Sequence, residues 1–203
     1  MQVKICGLST SEQVETCIEH GANFCGFILN YKKSYRFINY QTAEKLTKIK
    51  KKNTAYVGVL VEPTVEELKI FSNLDLDYFQ IYGDFTAHQI VTIKSEHSKK
   101  IIMSLQIKKE QDVLKYKIYE KVSDIILFDS SGLDRSISWN YNWIKTVPTT
   151  IVRMLAGNIN IDMLERLKET TDIVDVSGAL ETDKVKDIVK IKKFLNKIKQ
   201  TND

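Results

Sequence analysis

Eight short runs rich in β-branched and other apolar residues recur along this chain, and each is followed by an amphipathic segment. The runs are Val3–Cys6, Phe24–Leu29, Ala55–Val61, Tyr78–Tyr82, Lys100–Gln106, Asp124–Asp129, Thr150–Leu155 and Ile173–Ser177. They are largely apolar on both faces, as parallel strands covered on both sides are. The helical patterns between them are Ser11–His20, Gln41–Lys52, Val65–Asn73, Thr86–Glu96, Lys109–Glu120, Asn140–Lys145, Ile161–Glu169 and Lys184–Lys199. Ser9-Thr10 is the N-cap candidate of the first and Gly21 its C′ residue. The last is basic on one face and carries Val185, Ile188, Val189, Ile191 and Leu195 on the other. In 203 residues each strand-helix unit takes about 25, close to the minimum for a barrel of eight such units. An open doubly wound sheet competes, but rarely needs eight strands in so short a chain. The expected fold is α/β: a single (β/α)₈ barrel over residues 1–203, with no linker between domains.

Composition narrows the partners. The net charge of +4 is spread as many Lys among many Glu and Asp. The Lys-rich stretches at 45–52, 108–121 and 184–199 fall where helices are expected. They read as solvated helix faces and not as a basic stripe for nucleic acid. The opening MQVKICGLS has no basic segment followed by a long apolar run, so no signal peptide is expected. No apolar stretch approaches a membrane span. Cys6, Cys17 and Cys25 form no CxxC pair and have no nearby His cluster, which argues against disulfides and zinc and for a reducing cytoplasm.

Barrel enzymes carry their chemistry at the C-terminal ends of the strands, and strand side chains alternate between two faces. Lys4 and Cys6 share a face opposite Val3 and Ile5. Gln80 and Tyr82 oppose Phe79 and Ile81; Leu127 and Asp129 oppose Ile126 and Phe128; Asp175 and Ser177 oppose Val174 and Val176. A lumen site gathers such polar groups, whereas a surface packed under helices does not tolerate them. Gly7, Gly83, Gly132, Gly157 and Gly178 lie at or just after strand ends. Those near the last two strands suit a phosphate cradle of backbone N–H groups. Taken singly, Cys6 reads as a small buried hydrophobe, Asp129 as a turn or cap residue and Arg36 as a surface arginine. Asp175 reads equally as a substrate contact and as a structural partner at the barrel floor. Trp139 and Trp143 read as core or loop anchors.

The segments VKICGLS (Val3–Ser9), GFIL…SYRFI (Gly26–Ile38), VGVLVEP (Val57–Pro63), FQIYG (Phe79–Gly83), ILFDS (Ile126–Ser130), MLAGNIN (Met154–Asn160) and VDVSGALE (Val174–Glu181) resemble, in this order, the phosphoribosylanthranilate isomerase family, with Lys186-Asp187 closing the pattern. The resemblance implies a barrel enzyme of tryptophan biosynthesis. Its reaction is an Amadori rearrangement of N-(5-phosphoribosyl)anthranilate to the 1-deoxyribulose isomer, without metal or cofactor. It implies Cys6 as general base, Asp129 as general acid and Arg36 as the contact to the anthranilate carboxylate, in a fork geometry. Gly157 with Asn158, and Ser177 with Gly178, match the phosphate-binding turns. Lys4, Gln80 and Asp175 complete the expected substrate-binding set, with Lys4 favouring the Cys6 thiolate.

Several positions depart from the family pattern. A glycine-rich loop after the strand-6 acid is replaced by SSGLDRSISW (Ser130–Trp139), in which Arg135 or Ser136 offers a new side-chain contact. Gly-Gly after strand 7 becomes Gly157-Asn158, Ser-Ser-Gly after strand 8 becomes Ser177-Gly178-Ala179, and the strand-4 histidine is Tyr82. Two alternatives stand beside the isomerase: another phosphosugar or aminoaldose isomerase barrel, and a non-catalytic sugar-phosphate-binding barrel. The expected partner in each is a phosphorylated sugar, bound by a monomer or homodimer.

Overall fold

A computed structural model describes residues 1–130 and 137–202. Gly132, Arg135 and Ser136 lie outside the described residues. Eight parallel strands close on themselves in chain order: β1 (Gln2–Cys6), β2 (Phe24–Ile28), β3 (Ala55–Val61), β4 (Tyr78–Tyr82), β5 (Lys100–Ile107), β6 (Ile125–Ser130), β7 (Arg153–Leu155) and β8 (Ile173–Val176). Closure comes from β1 against β8, which sets Lys4 opposite Asp175.

Side-chain parity separates two apolar layers. Cys6, Phe24, Val57, Val59, Ile102, Leu127 and Met154 fill the lumen. Val3, Ile5, Phe27, Phe79, Ile81, Phe128 and Val174 face the helices. At the base of the barrel a polar device recurs. Asn23, Asp77, Asp124 and Asp172, each just before an even-numbered strand, accept a hydrogen bond from the first amides of the preceding strand. The donors are the N–H groups of Val3, Tyr56, Ile101 and Arg153, at 2.9, 2.7, 2.7 and 2.8 Å. Asp124 therefore clamps β5 instead of opening β6. These bonds satisfy strand-end amides that have no ladder partner and leave the opposite mouth free for chemistry.

The early helices form where capping chemistry starts them: α1 (Ser11–Glu19), α2 (Tyr40–Thr47), α3 (Val65–Phe71) and α4 (Ala87–His97). Thr10 and Gln13 make a reciprocal capping box on α1, and Thr64 with Glu67 does so on α3. Later connections are shorter than the sequence pattern suggests. Lys109–Glu120 resolves into a 3₁₀ turn (Glu110–Lys115) leading into α5 (Tyr116–Tyr119). Asn140–Lys145 becomes 3₁₀ (Tyr141–Thr146), and Ile161–Glu169 a 3₁₀ turn (Ile161–Met163) and α6 (Leu164–Leu167). β7 starts at Arg153 and not Thr150, because the Ile151 N–H donates to Pro148 O and closes a turn there.

The largest local correction lies before the last helix. Residues 184–187 are not helical: β9 (Glu181–Thr182) and β10 (Val185–Lys186) form a hairpin. Its two turn residues, Asp183 and Lys184, have φ of +50° and +65°, the signature of a two-residue turn with both centres left-handed. Helix α7 (Ile188–Asn202) follows, capped by Asp187 Oδ1, which accepts from the Val189 and Lys190 N–H groups. Val185 and Val189, expected on its apolar face, are exposed, while Ile191, Phe194, Leu195 and Ile198 are buried. No helix among the described residues is long and apolar enough to cross a membrane.

Candidate active site

A cavity of about 440 Å³ opens at the C-terminal mouth of the barrel, a size suited to a small organic ligand. It is lined by Cys6, Arg36, Gln80, Asp129, Gly157, Asn158, Asp175, Ser177 and Gly178. Those are all of the expected site residues except Lys4.

Lys4 lies beneath the cavity and is fully buried, so it is not placed to contact a ligand. Its ammonium donates to both carboxylate oxygens of Asp175, at 3.0 and 2.9 Å. Asp175 lines the cavity while both its oxygens are engaged by Lys4. Lys4 does favour the Cys6 thiolate, as expected, but burial outweighs it. Burial pushes the Cys6 thiol up, Lys4 pulls it down, Asp175 pushes it up again, and the net direction is upward. Desolvation of the buried sulfur is the largest of these effects, and Lys186 adds a further downward pull. Breaking this pair should be expensive. Lys4→Met should lower unfolding free energy by about 3–5 kcal/mol in urea titrations, because it strands a buried carboxylate; Lys4→Met with Asp175→Leu should recover most of the loss.

Asp129 ends β6 across the cavity. Its Oδ1 accepts from the Ser130 N–H at 2.7 Å and its Oδ2 from the Tyr82 hydroxyl at 2.7 Å. Burial raises the Asp129 carboxyl, Tyr82 and Ser130 lower it, and the nearby Asp175 raises it, with the balance at about 6. A carboxylic acid is thereby kept partly protonated near neutral pH. Behind Tyr82, Gln80 Nε2 donates to the Tyr82 oxygen at 3.2 Å. Gln80 Oε1 is buried with no partner among the described residues.

Arg36 reaches the site from the loop after β2. Gly7 (φ +80°) permits this: a Cβ there would lie 2.6 Å from Arg36 Cδ. The fork expected to grip a ligand carboxylate is instead engaged by Glu181. Arg36 Nε donates to Glu181 Oε1 at 2.6 Å and Nη2 to Oε2 at 2.9 Å. Tyr35 and Lys186 donate to the same carboxylate. Burial pushes Glu181 up, but Arg36, Lys186 and Tyr35 outweigh it and hold it at about 2. Arg36 Nη2 also donates to the Tyr35 hydroxyl. Lys186 also donates to Ser177 Oγ at 3.2 Å, and Ser177 Oγ donates to the Cys6 carbonyl at 2.9 Å. The Ser177 hydroxyl therefore holds the backbone of Cys6.

The turn after β7 is gripped from the segment after β6. Trp139 Nε1 donates to Ala156 O at 3.0 Å, Asn158 Nδ2 to Ser138 Oγ at 2.9 Å, and the Tyr141 hydroxyl to Gly157 O. Gly157 (φ +102°) is needed for this approach, since a Cβ would meet Trp139 Nε1 and Ile137 O at 2.9 Å. Asn158 sits at φ +53°, a left-handed conformation that asparagine tolerates, so Asn for Gly leaves the turn intact. Trp139 acts as the expected loop anchor.

Glu181, Lys186 and Tyr35 are not among the expected site residues, whereas Tyr82, set on the lumen face by parity, lines the cavity. Glu181 and Lys186 stood in the quoted VDVSGALE and Lys186-Asp187 segments. Without the hairpin that sets Lys186 opposite Glu181, nothing in the sequence ties either to Arg36. Among the described residues, no cluster of three or more His, Cys, Asp or Glu side chains could hold a metal.

The chain is similar to proteins of one family. The family described as N-(5'phosphoribosyl)anthranilate (PRA) isomerase matches residues 3–197. The N-(5'-phosphoribosyl)anthranilate isomerase of Streptococcus mutans is 34% identical over 98% of this chain and 99% of its own length. That of Streptococcus gordonii is 32% identical, over 98% and 97%. The crystal structure of phosphoribosyl anthranilate isomerase from Thermotoga maritima superposes with a TM-score of 0.87 over 98% of this chain and 99% of that one, at 24% identity.

Proposed function

The chain belongs to the N-(5'-phosphoribosyl)anthranilate isomerase family, and from that premise we infer how its own residues carry out the isomerisation in tryptophan biosynthesis. The substrate is N-(5-phosphoribosyl)anthranilate and the product 1-(2-carboxyphenylamino)-1-deoxyribulose 5-phosphate. Asp129, as the acid, protonates the furanose ring oxygen while the amine lone pair expels it from C1′, which opens the ring to an iminium. Cys6, as thiolate, removes the proton on C2′. The C–H electrons form the C1′–C2′ double bond and neutralise the iminium nitrogen. The enolamine then takes a proton at C1′ and loses the one on its C2′ hydroxyl, giving the ketone. No atom is gained or lost.

What supports this reading above all is an acid held at about 6 and a thiol lining one cavity at a barrel mouth. The Nη1 edge of Arg36 meets the anthranilate carboxylate end-on, since Glu181 occupies the fork. Backbone N–H groups of Gly157, Asn158, Gly178 and Ala179 take the phosphate, with the exposed Lys184 at the rim. An isomerase that pairs two carboxylates would need Asp175 unengaged, and both its oxygens are held by Lys4. We take residues 1–203 as one catalytic domain. It works in the cytoplasm, as three free buried thiols suit, as a monomer or homodimer.

The test is turnover. Purified protein mixed with phosphoribosylanthranilate should abolish anthranilate-type fluorescence at an enzymatic rate, and a folded protein with no such turnover would refute the reading.

A further inference from the structure

Asp129 needs to exist in two states, carboxylic acid before ring opening and carboxylate after it, and its neighbours must suit both. Its Oδ1 has a fixed donor, the Ser130 N–H at 2.7 Å. Its Oδ2 faces a group that both donates and accepts, the Tyr82 hydroxyl at 2.7 Å. Tyr82 is 8% exposed and Gln80 1% exposed, so bulk water does not substitute freely for either. Next in line, the amide of Gln80 carries a donor and an acceptor on one carbon. In the observed arrangement Nε2 donates to the Tyr82 oxygen, which directs the Tyr82 proton at Asp129, as the carboxylate requires. Gln80 Oε1 is then the buried orphan.

Reversing each bond gives the other state. A protonated Asp129 donates to the Tyr82 oxygen, Tyr82 donates to Gln80, and a flip of the amide puts Oε1 where Nε2 was. The same three side chains keep Asp129 Oδ2 hydrogen-bonded to Tyr82 in both protonation states, with no heavy atom moved beyond the amide flip and one Gln80 atom unpartnered in each. A fixed donor such as lysine at position 82 would serve the carboxylate alone.

We propose that Tyr82 is the positioning residue of the general acid, holding Asp129 Oδ2 toward the substrate in both protonation states through a reversible hydrogen-bond chain to Gln80. This rests on Asp129 being the acid. Tyr82 acts through Asp129 and exchanges no proton with the substrate. The other titratable groups facing Asp129 are Cys6 and Lys4 from β1, Asp175 from β8, and Tyr141 from the 3₁₀ segment after β6. Among the neighbouring side chains, Tyr82 is the one that hydrogen-bonds Asp129 Oδ2, and it lowers the carboxyl against burial and Asp175.

The experiment follows the Asp129 carboxyl directly, by ¹³C NMR of aspartate-labelled protein, with Asp129→Asn to assign its signal. In Tyr82→Phe the carboxylate loses a donor in a buried place. Its titration midpoint should rise by about one pH unit, the size expected for one hydrogen bond to a charged group. With the same substrate, kcat should fall by about tenfold while KM changes little, the signature of a group acting after binding. A fluorinated tyrosine at position 82 keeps the shape and strengthens the donor, so the midpoint should move down; this keeps the test open if Tyr82→Phe folds poorly. An unmoved midpoint in both proteins, with Asp129→Asn inactive, would overturn the role of Tyr82 and leave the acid standing. Full activity in Asp129→Asn would overturn the acid, and this inference with it.

Discussion

Asp129→Asn should lower kcat by about 10²–10⁴-fold, the usual contribution of a positioned acid, and should at the same time make the protein harder to unfold. Both effects have one cause. The carboxyl sits at about 6 in the folded protein because burial and Asp175 outweigh Tyr82 and Ser130, against about 3.9 in an unfolded chain. A group whose folded value is raised contributes its stability below the unfolded value and loses it as pH climbs through the folded one. At pH 8 the ionised Asp129 is therefore a net cost of about 3 kcal/mol. Asparagine carries no charge to desolvate, and with its oxygen toward the Ser130 N–H its amide can donate to the Tyr82 oxygen as the protonated acid would. The gain should thus be about 1–3 kcal/mol, or several degrees in melting temperature for a chain of this size. It should shrink toward zero below pH 4. Calorimetry at pH 4 and pH 8, beside steady-state kinetics, checks both; a variant that is inactive and also less stable at pH 8 would contradict the electrostatic account.

Cys6→Ser should lose a similar factor of about 10²–10⁴ in kcat, since a hydroxyl keeps the size of the thiol but gives almost no anion at neutral pH. The raised thiol adds a pH signature. Base and acid are held in inverted order, with the base above the ordinary thiol range and the acid at about 6. Only a minority of molecules carry thiolate and carboxylic acid together. Between the two values the thiolate fraction rises with pH as the acid fraction falls, so kcat/KM should be flat across the neutral range. It should fall below about pH 6 and again above the thiol's own value. Alkylation of Cys6 by iodoacetamide should be slow at pH 7 and accelerate steadily with pH. Fast alkylation at neutral pH would show a thiolate already formed and contradict the cost of burial beside Asp175.

Much of this molecule can be read along the chain. Eight runs apolar on both faces permit few closed arrangements, and period-two alternation assigns each side chain to the lumen or to the helix layer. Lys4, Cys6, Gln80, Tyr82, Asp129 and Asp175 therefore fall on the inner face by parity alone. The family motifs add roles for Cys6, Asp129 and Arg36. The short 3₁₀ connections were less legible, because a helical apolar pattern says where a face is buried and not how many turns fit between two strands.

What alternation cannot determine is which inward groups touch one another. Lys4 and Asp175 lie 171 positions apart, and only closure of β1 on β8 sets them in register. That contact seals the Lys4 ammonium beneath the cavity, where it still draws the Cys6 thiol down against the cost of burial. Glu181 is placed by a two-residue left-handed turn with no strong sequence signature, and it occupies the fork of Arg36. The composition and order of the site are thus properties of the sequence. Its protonation states and hydrogen-bond partners are properties of the fold, because burial and charge pairing depend on distances of a few ångströms between segments remote in the chain.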